Sequence, residues 1–159
     1  MVDLSKRRFL SGKKRQDNEL SLPWLSQPTL FIEQCTRCNK CVDVCQTQII
    51  VKGDGGFPHI DFSNDECTFC YQCAAICPEP LFNPQSTHPW TAKATVKEDC
   101  LAKLNVDCRT CGDMCEPMAI TFKLEVGKVA QPILNLEECN GCGACVSVCP
   151  TSSINVSNF

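Results

Sequence analysis

The sequence predicts an α+β fold of two tandem units of one design, each made of short helices and short hairpins. Three observations predict it. All 16 cysteines of the 159 residues fall into four sets of four. The sets begin at Cys35, Cys67, Cys100 and Cys139, a nearly even spacing that marks an internal repeat. The segments joining set one to two, and set three to four, both read as strand–turn–strand.

The sets are Cys35, Cys38, Cys41, Cys45; Cys67, Cys70, Cys73, Cys77; Cys100, Cys108, Cys111, Cys115; and Cys139, Cys142, Cys145, Cys149. Three of them read C-x2-C-x2-C-x3-C, the ligand run of bacterial [4Fe–4S] ferredoxins. Each unit is therefore expected to be a bacterial-type two-cluster ferredoxin-like fold. Two other chemistries crowd cysteines into short chains. A secreted disulfide scaffold is disfavoured because no secretory signal precedes Cys35, and because four thiols in so tight a run converge better than they pair across a fold. Structural zinc uses two separated C-x2-C pairs rather than a C-x2-C-x2-C triplet.

In chain order, residues 1–33 are expected to be a basic arm with no clear hydrophobic period, in which Pro23 and Pro28 bracket Trp24 and Leu25. Trp24 is read either as a partner anchor or, more simply, as packed onto the first unit. That unit spans 34–82. Its hairpin runs from Ile49-Ile50-Val51-Lys52 through Gly53-Asp54-Gly55-Gly56 to Pro58-His59-Ile60-Asp61-Phe62. Residues 83–99 read as a linker, with two prolines and polar content. The second unit spans 100–159. Its hairpin joins Ala119–Lys123 to Pro132–Leu136 through a turn near Gly127, and Ser153–Val156 reads as one more short strand.

In a two-cluster ferredoxin the fourth cysteine of one run ligates the other cluster. That rule assigns cluster one to Cys35, Cys38, Cys41 and Cys77, and cluster two to Cys67, Cys70, Cys73 and Cys45. Cluster three takes Cys100, Cys108, Cys111 and Cys149, and cluster four Cys139, Cys142, Cys145 and Cys115. Four [4Fe–4S] clusters are expected, with iron held through these cysteines alone. The third set departs from the pattern: a long loop replaces the usual two residues between Cys100 and Cys108, so it is either a looser ligand loop or a labile, vestigial site. Glycine in Asn140-Gly141-Cys142-Gly143 lets the backbone approach a cluster. Ile49, Leu81, Ile120 and Ile154, each a short step past a fourth cysteine, either roof the clusters or pack the core.

Hydrophobic content is 43%, much of it cysteine, and aromatic residues make up only 7%. The clusters must then form part of the core, and the cluster-free chain is expected to be largely unfolded. The formal charge is −3, and four clusters would take it to about −11. Residues 1–15 alone carry +5. Ser5-Lys6-Arg7-Arg8-Phe9-Leu10 looks like a twin-arginine export motif, but Gly12-Lys13-Lys14-Arg15 follows where an apolar stretch is needed, which points to a cytoplasmic protein. The arm is read as a solvated tail, with docking to an acidic partner surface as the alternative. No stretch has the length and apolarity to span a bilayer. Nucleotide-binding loops, a Rieske pattern for His59 and His88, and a convergent acid–base–nucleophile set are all missing, so independent catalysis and nucleic-acid work are not expected.

Several segments carry a resemblance: Cys35-Thr-Arg-Cys38, Asn64-Asp-Glu-Cys67-Thr-Phe-Cys70-Tyr-Gln-Cys73, Cys77-Pro-Glu79 with Leu81-Phe82, Cys108-Arg-Thr-Cys111, Cys115-Glu-Pro-Met-Ala-Ile120 and Cys139-Asn-Gly-Cys142-Gly-Ala-Cys145. Together with the stretched third set and the basic start, they resemble the NapF ferredoxin-type proteins of periplasmic nitrate reductase systems. The resemblance implies a cytoplasmic, non-enzymatic partner of the catalytic subunit of periplasmic nitrate reductase, acting before export by supplying electrons or cluster components. The residues alone equally suit a polyferredoxin wiring subunit for a cytoplasmic oxidoreductase, or a cluster donor.

Overall fold

The computed structural model describes residues 20–158; the basic segment before residue 20, with its export-like motif, lies outside them. Three two-stranded antiparallel sheets and five short α-helices make up the fold of the described residues. Helix α1 spans Pro28–Gln34 and begins with proline, whose fixed φ suits the first helical turn. The other four helices are single turns: α2 Lys40–Asp43, α3 Gln72–Ala75, α4 Thr110–Asp113 and α5 Ala144–Ser147. Each holds the third cysteine of its set. One turn cannot nucleate alone in water, so packing and whatever the thiols bind must hold these helices. Helix α2 packs on α3 and α4 on α5, which pairs set one with two and three with four.

The two expected hairpins form. Strand β1 (Ile50–Lys52) pairs with β2 (Pro58–Ile60), Ile50 opposite Ile60. Pro58 is tolerated because a two-stranded sheet has only edges. Strand β4 (Ile120–Lys123) pairs with β5 (Gln131–Leu134), Ile120 opposite Leu134. The tail also forms its strand, β6 (Ile154–Asn158), but its partner is β3 (Ala92–Val96), inside the segment read as a linker. Ala92 and Ala94 alternate inward, as do Val156 and Ile154 on the partner strand, and all four are buried. The second cysteine-rich half thus begins structurally near Trp90, not at Cys100.

The stretch from 20 to 33 is likewise more than an arm. Leu20, Leu22 and Trp24 are buried, and Phe31 of α1 packs against Phe57 with ring centroids 6.0 Å apart. Trp24 packs inward: its ring stands edge-on to Tyr71 at 5.0 Å and its indole N–H donates to the Thr87 carbonyl at 3.0 Å. Ile49, Leu81, Ile120 and Ile154 are all buried, and the core also contains Cys73, Cys111, Cys139 and Cys145.

Candidate metal centres

All 16 thiols are free. Backbone conformation explains how they gather. In sets one, two and four the residues flanking the second cysteine both take positive φ: Arg37 and Asn39, Phe69 and Tyr71, Gly141 and Gly143. Left-handed residues alternating with right-handed ones curl the chain and turn successive N–H groups inward, a concavity that suits anions and Fe–S sites. Set three lacks this curl. Asp107 does not take positive φ, and Arg109 sits at φ −131°. Its longer loop instead packs on the β4–β5 hairpin: the Gln131 side chain donates to the Ala102 carbonyl at 2.8 Å, and Asn105 Oδ1 accepts from the Val129 N–H at 3.0 Å.

Two cysteine-lined cavities lie in the first half of the chain. Cys35, Cys38, Cys41 and Cys77 line one, roofed by Leu22 and Leu81. Cys45, Cys67, Cys70 and Cys73 line the other, with Trp24 and Ile49 above them. In each, the fourth cysteine of one set stands with three of the other. In the second half, Cys115 lies within electrostatic reach of Cys142 and Cys145, and Cys100 and Cys108 lie within reach of Cys111. The described neighbours of Cys149 are hydroxyl and backbone groups of Thr151 and Ser153.

Burial pushes the Cys73 and Cys145 thiols up to about 12, and those of Cys41, Cys67 and Cys111 up to about 11, with neighbouring sulfurs adding to the effect. Cys38, at the surface, is lowered by hydrogen bonding from the Lys40 backbone and the Thr36 side chain. Crowded buried thiols of this kind are poorly stable as bare thiolates and call for a cationic centre. Among the described residues no three Cys, His, Asp or Glu side chains close on a single point as a mononuclear ion requires. A cubane asks for something else, since each thiolate binds a different iron corner and the four sulfurs stand around it. The free thiols, the inward-turned amides and the apolar roofs therefore fit [4Fe–4S] clusters.

The two halves meet at these loops. The Cys67 N–H donates to the Cys142 carbonyl at 2.8 Å. Trp90 bridges the contact: its indole N–H donates to the Asn140 carbonyl at 3.0 Å, and its ring stands edge-on to Phe69 and Phe62 at 5.9 and 6.2 Å. Gly143 lies so close under Phe62, and Gly141 so close to the Ala92 carbonyl, that neither has room for a side chain. Sequence reading missed this seam. The one signal for it was Trp90 standing in an otherwise polar stretch.

Cysteine-lined cavities beside single-turn helices and short hairpins define a ferredoxin-type iron–sulfur protein, and the 4Fe-4S dicluster domain family matches residues 34–80 and 106–153. The chain is 45% identical over 154 residues to the ferredoxin-type protein NapF of Escherichia coli K12, covering 96% of this chain and 94% of that one. It is 42% identical to NapF of Haemophilus influenzae Rd, covering 99% and 96%. The methylamine utilization ferredoxin-type protein MauM of Methylophilus methylotrophus is 29% identical over 77% of this chain and 62% of its own. The chain belongs to the NapF ferredoxin-type family, and its cofactors are [4Fe–4S] clusters.

Proposed function

We propose that this protein is an iron–sulfur accessory protein that meets the catalytic subunit of periplasmic nitrate reductase in the cytoplasm, before export, and supplies it with electrons or cluster components. The near-full-length similarity to NapF proteins carries this reading. It holds four clusters, ligated by Cys35, Cys38, Cys41 and Cys77; by Cys67, Cys70, Cys73 and Cys45; by Cys100, Cys108, Cys111 and Cys149; and by Cys139, Cys142, Cys145 and Cys115. The two cysteine-lined cavities support the first two sets. When bound, such clusters supply reversible one-electron exchange. The chain's own part is to hold them, exclude water with Leu22, Leu81, Trp24 and Ile49, and present them to a partner. Among the described residues no helix is long and apolar enough to cross a membrane.

The test is co-purification from cytoplasm with tagged protein and with a variant lacking residues 1–19, which leaves Leu20, Leu22, Trp24 and Phe31 in the core. Recovery of the catalytic subunit still bearing its export signal supports the reading. Its absence under nitrate-respiring conditions, with the chain fully loaded with iron, overturns it.

A second reading, a polyferredoxin wiring subunit, is favoured by the Cys67–Cys142 hydrogen bond, which joins a loop of the second cysteine set to a loop of the fourth. Stable clusters with no transfer of iron or sulfide to an apo-acceptor favour wiring over donation.

A further inference from the structure

The last cysteine of each half is followed by proline, and the two halves diverge after it. The first reads Cys77-Pro78-Glu79; the second reads Cys149-Pro150-Thr151-Ser152-Ser153. The Ser153 N–H points at Cys149 Sγ, 3.3 Å away. The Thr151 hydroxyl lies 3.8 Å from the same sulfur and 2.7 Å from Ser153 Oγ. Ser153 is fully buried, so Thr151 rather than water satisfies its hydroxyl. The Lys97 N–H, donating to the Ser153 carbonyl at 2.8 Å, and the Val96–Ile154 register pin the group in place.

A threonine two residues on also lies near Cys45 and Cys108, at 3.7 and 3.8 Å. At Cys149 the buried Ser153 adds its own N–H and holds the threonine hydroxyl in place.

Reduction adds negative charge to a cluster that already carries about −2 with its thiolates. Hydrogen-bond donors at a ligand sulfur favour the reduced form and raise the potential. We propose that the Thr151 hydroxyl, held by Ser153 Oγ, raises the reduction potential of the cluster bound through Cys149. This rests on the reading that Cys149 is a cluster ligand.

Anaerobic potentiometric titration of the cluster-loaded full chain, monitored by EPR, tests this on wild type, Thr151→Val, Thr151→Ser and Ser153→Ala. Iron and sulfide are assayed on each sample. T151V and S153A should move one midpoint to more negative potential, while T151S should leave it in place. Fully loaded variants with unmoved midpoints, or shifts of the opposite sign, overturn the inference and leave the cluster reading standing. Wild-type protein that binds no iron overturns the cluster reading itself.

Discussion

The Cys67 amide donates to the Cys142 carbonyl across 2.8 Å, so a loop of the first cysteine-rich half is hydrogen-bonded to a loop of the second. A two-part chain needs no such bond to fold each part. Trp90 and Phe62 pack over it, and Gly143 makes room for it at φ +88°.

Gly143→Ala tests how much rests on that room. An alanine there must hold a left-handed backbone, at about 1–2 kcal/mol, and force Phe62 aside, at about 1–3 kcal/mol. The loaded protein is expected to lose about 2–4 kcal/mol in chemical denaturation, the sum of those two costs less some relaxation. An unchanged midpoint contradicts the seam. Gly127→Ala, at an open turn where φ is also positive, isolates the backbone part of that cost.

The crossed ligand sets make a non-additivity prediction. If Cys35 and Cys77 serve one cluster, the double variant Cys35→Ser, Cys77→Ser loses about four irons per chain, no more than either single variant. Cys35→Ser with Cys45→Ser strikes two clusters and loses about eight. Iron assay of anaerobic preparations decides; the reverse pattern means that each set ligates its own cluster.

Much of this was legible in the sequence, and the failures have physical causes. Both hairpins could be read because their strands flank a glycine-containing turn close together in the chain. Strand β3 could not: Ala92-Lys-Ala-Thr-Val96 is short and built on small residues, and its partner is the strand Ile154–Asn158 at the far end of the second half, where local pattern carries no signal. Ala92 and Ala94 are small because the fourth-set loop lies directly against them; the Ala94 N–H sits 3.5 Å from Cys139 Sγ. Leu20, Leu22 and Trp24 looked like an aperiodic arm because they fill separate gaps in the core, two of them over the cavities, instead of forming one helix face. At the metal centres the cysteine spacing carried nearly all the information. The positive φ of Arg37, Phe69 and Tyr71 was invisible, since none of them is glycine.

The buried thiols predict how the cluster-free chain responds to pH. Cys41, Cys67, Cys73, Cys111 and Cys145 titrate at about 11 to about 12 when folded, against 9.0 when unperturbed. The folded form therefore favours neutral thiols. That contribution to stability is complete below about pH 9 and is lost as pH rises through about 11 to 12. Any compact population kept by the reduced, cluster-free chain should disappear over that window in circular dichroism. Compactness that grows with pH would contradict the burial of these sulfurs.

The most direct measurement is an assay of iron and acid-labile sulfide in anaerobically purified full-length chain. Four cubanes on 16 thiolates predict a brown protein with about 16 of each per chain. A colourless, folded chain without sulfide would contradict the account.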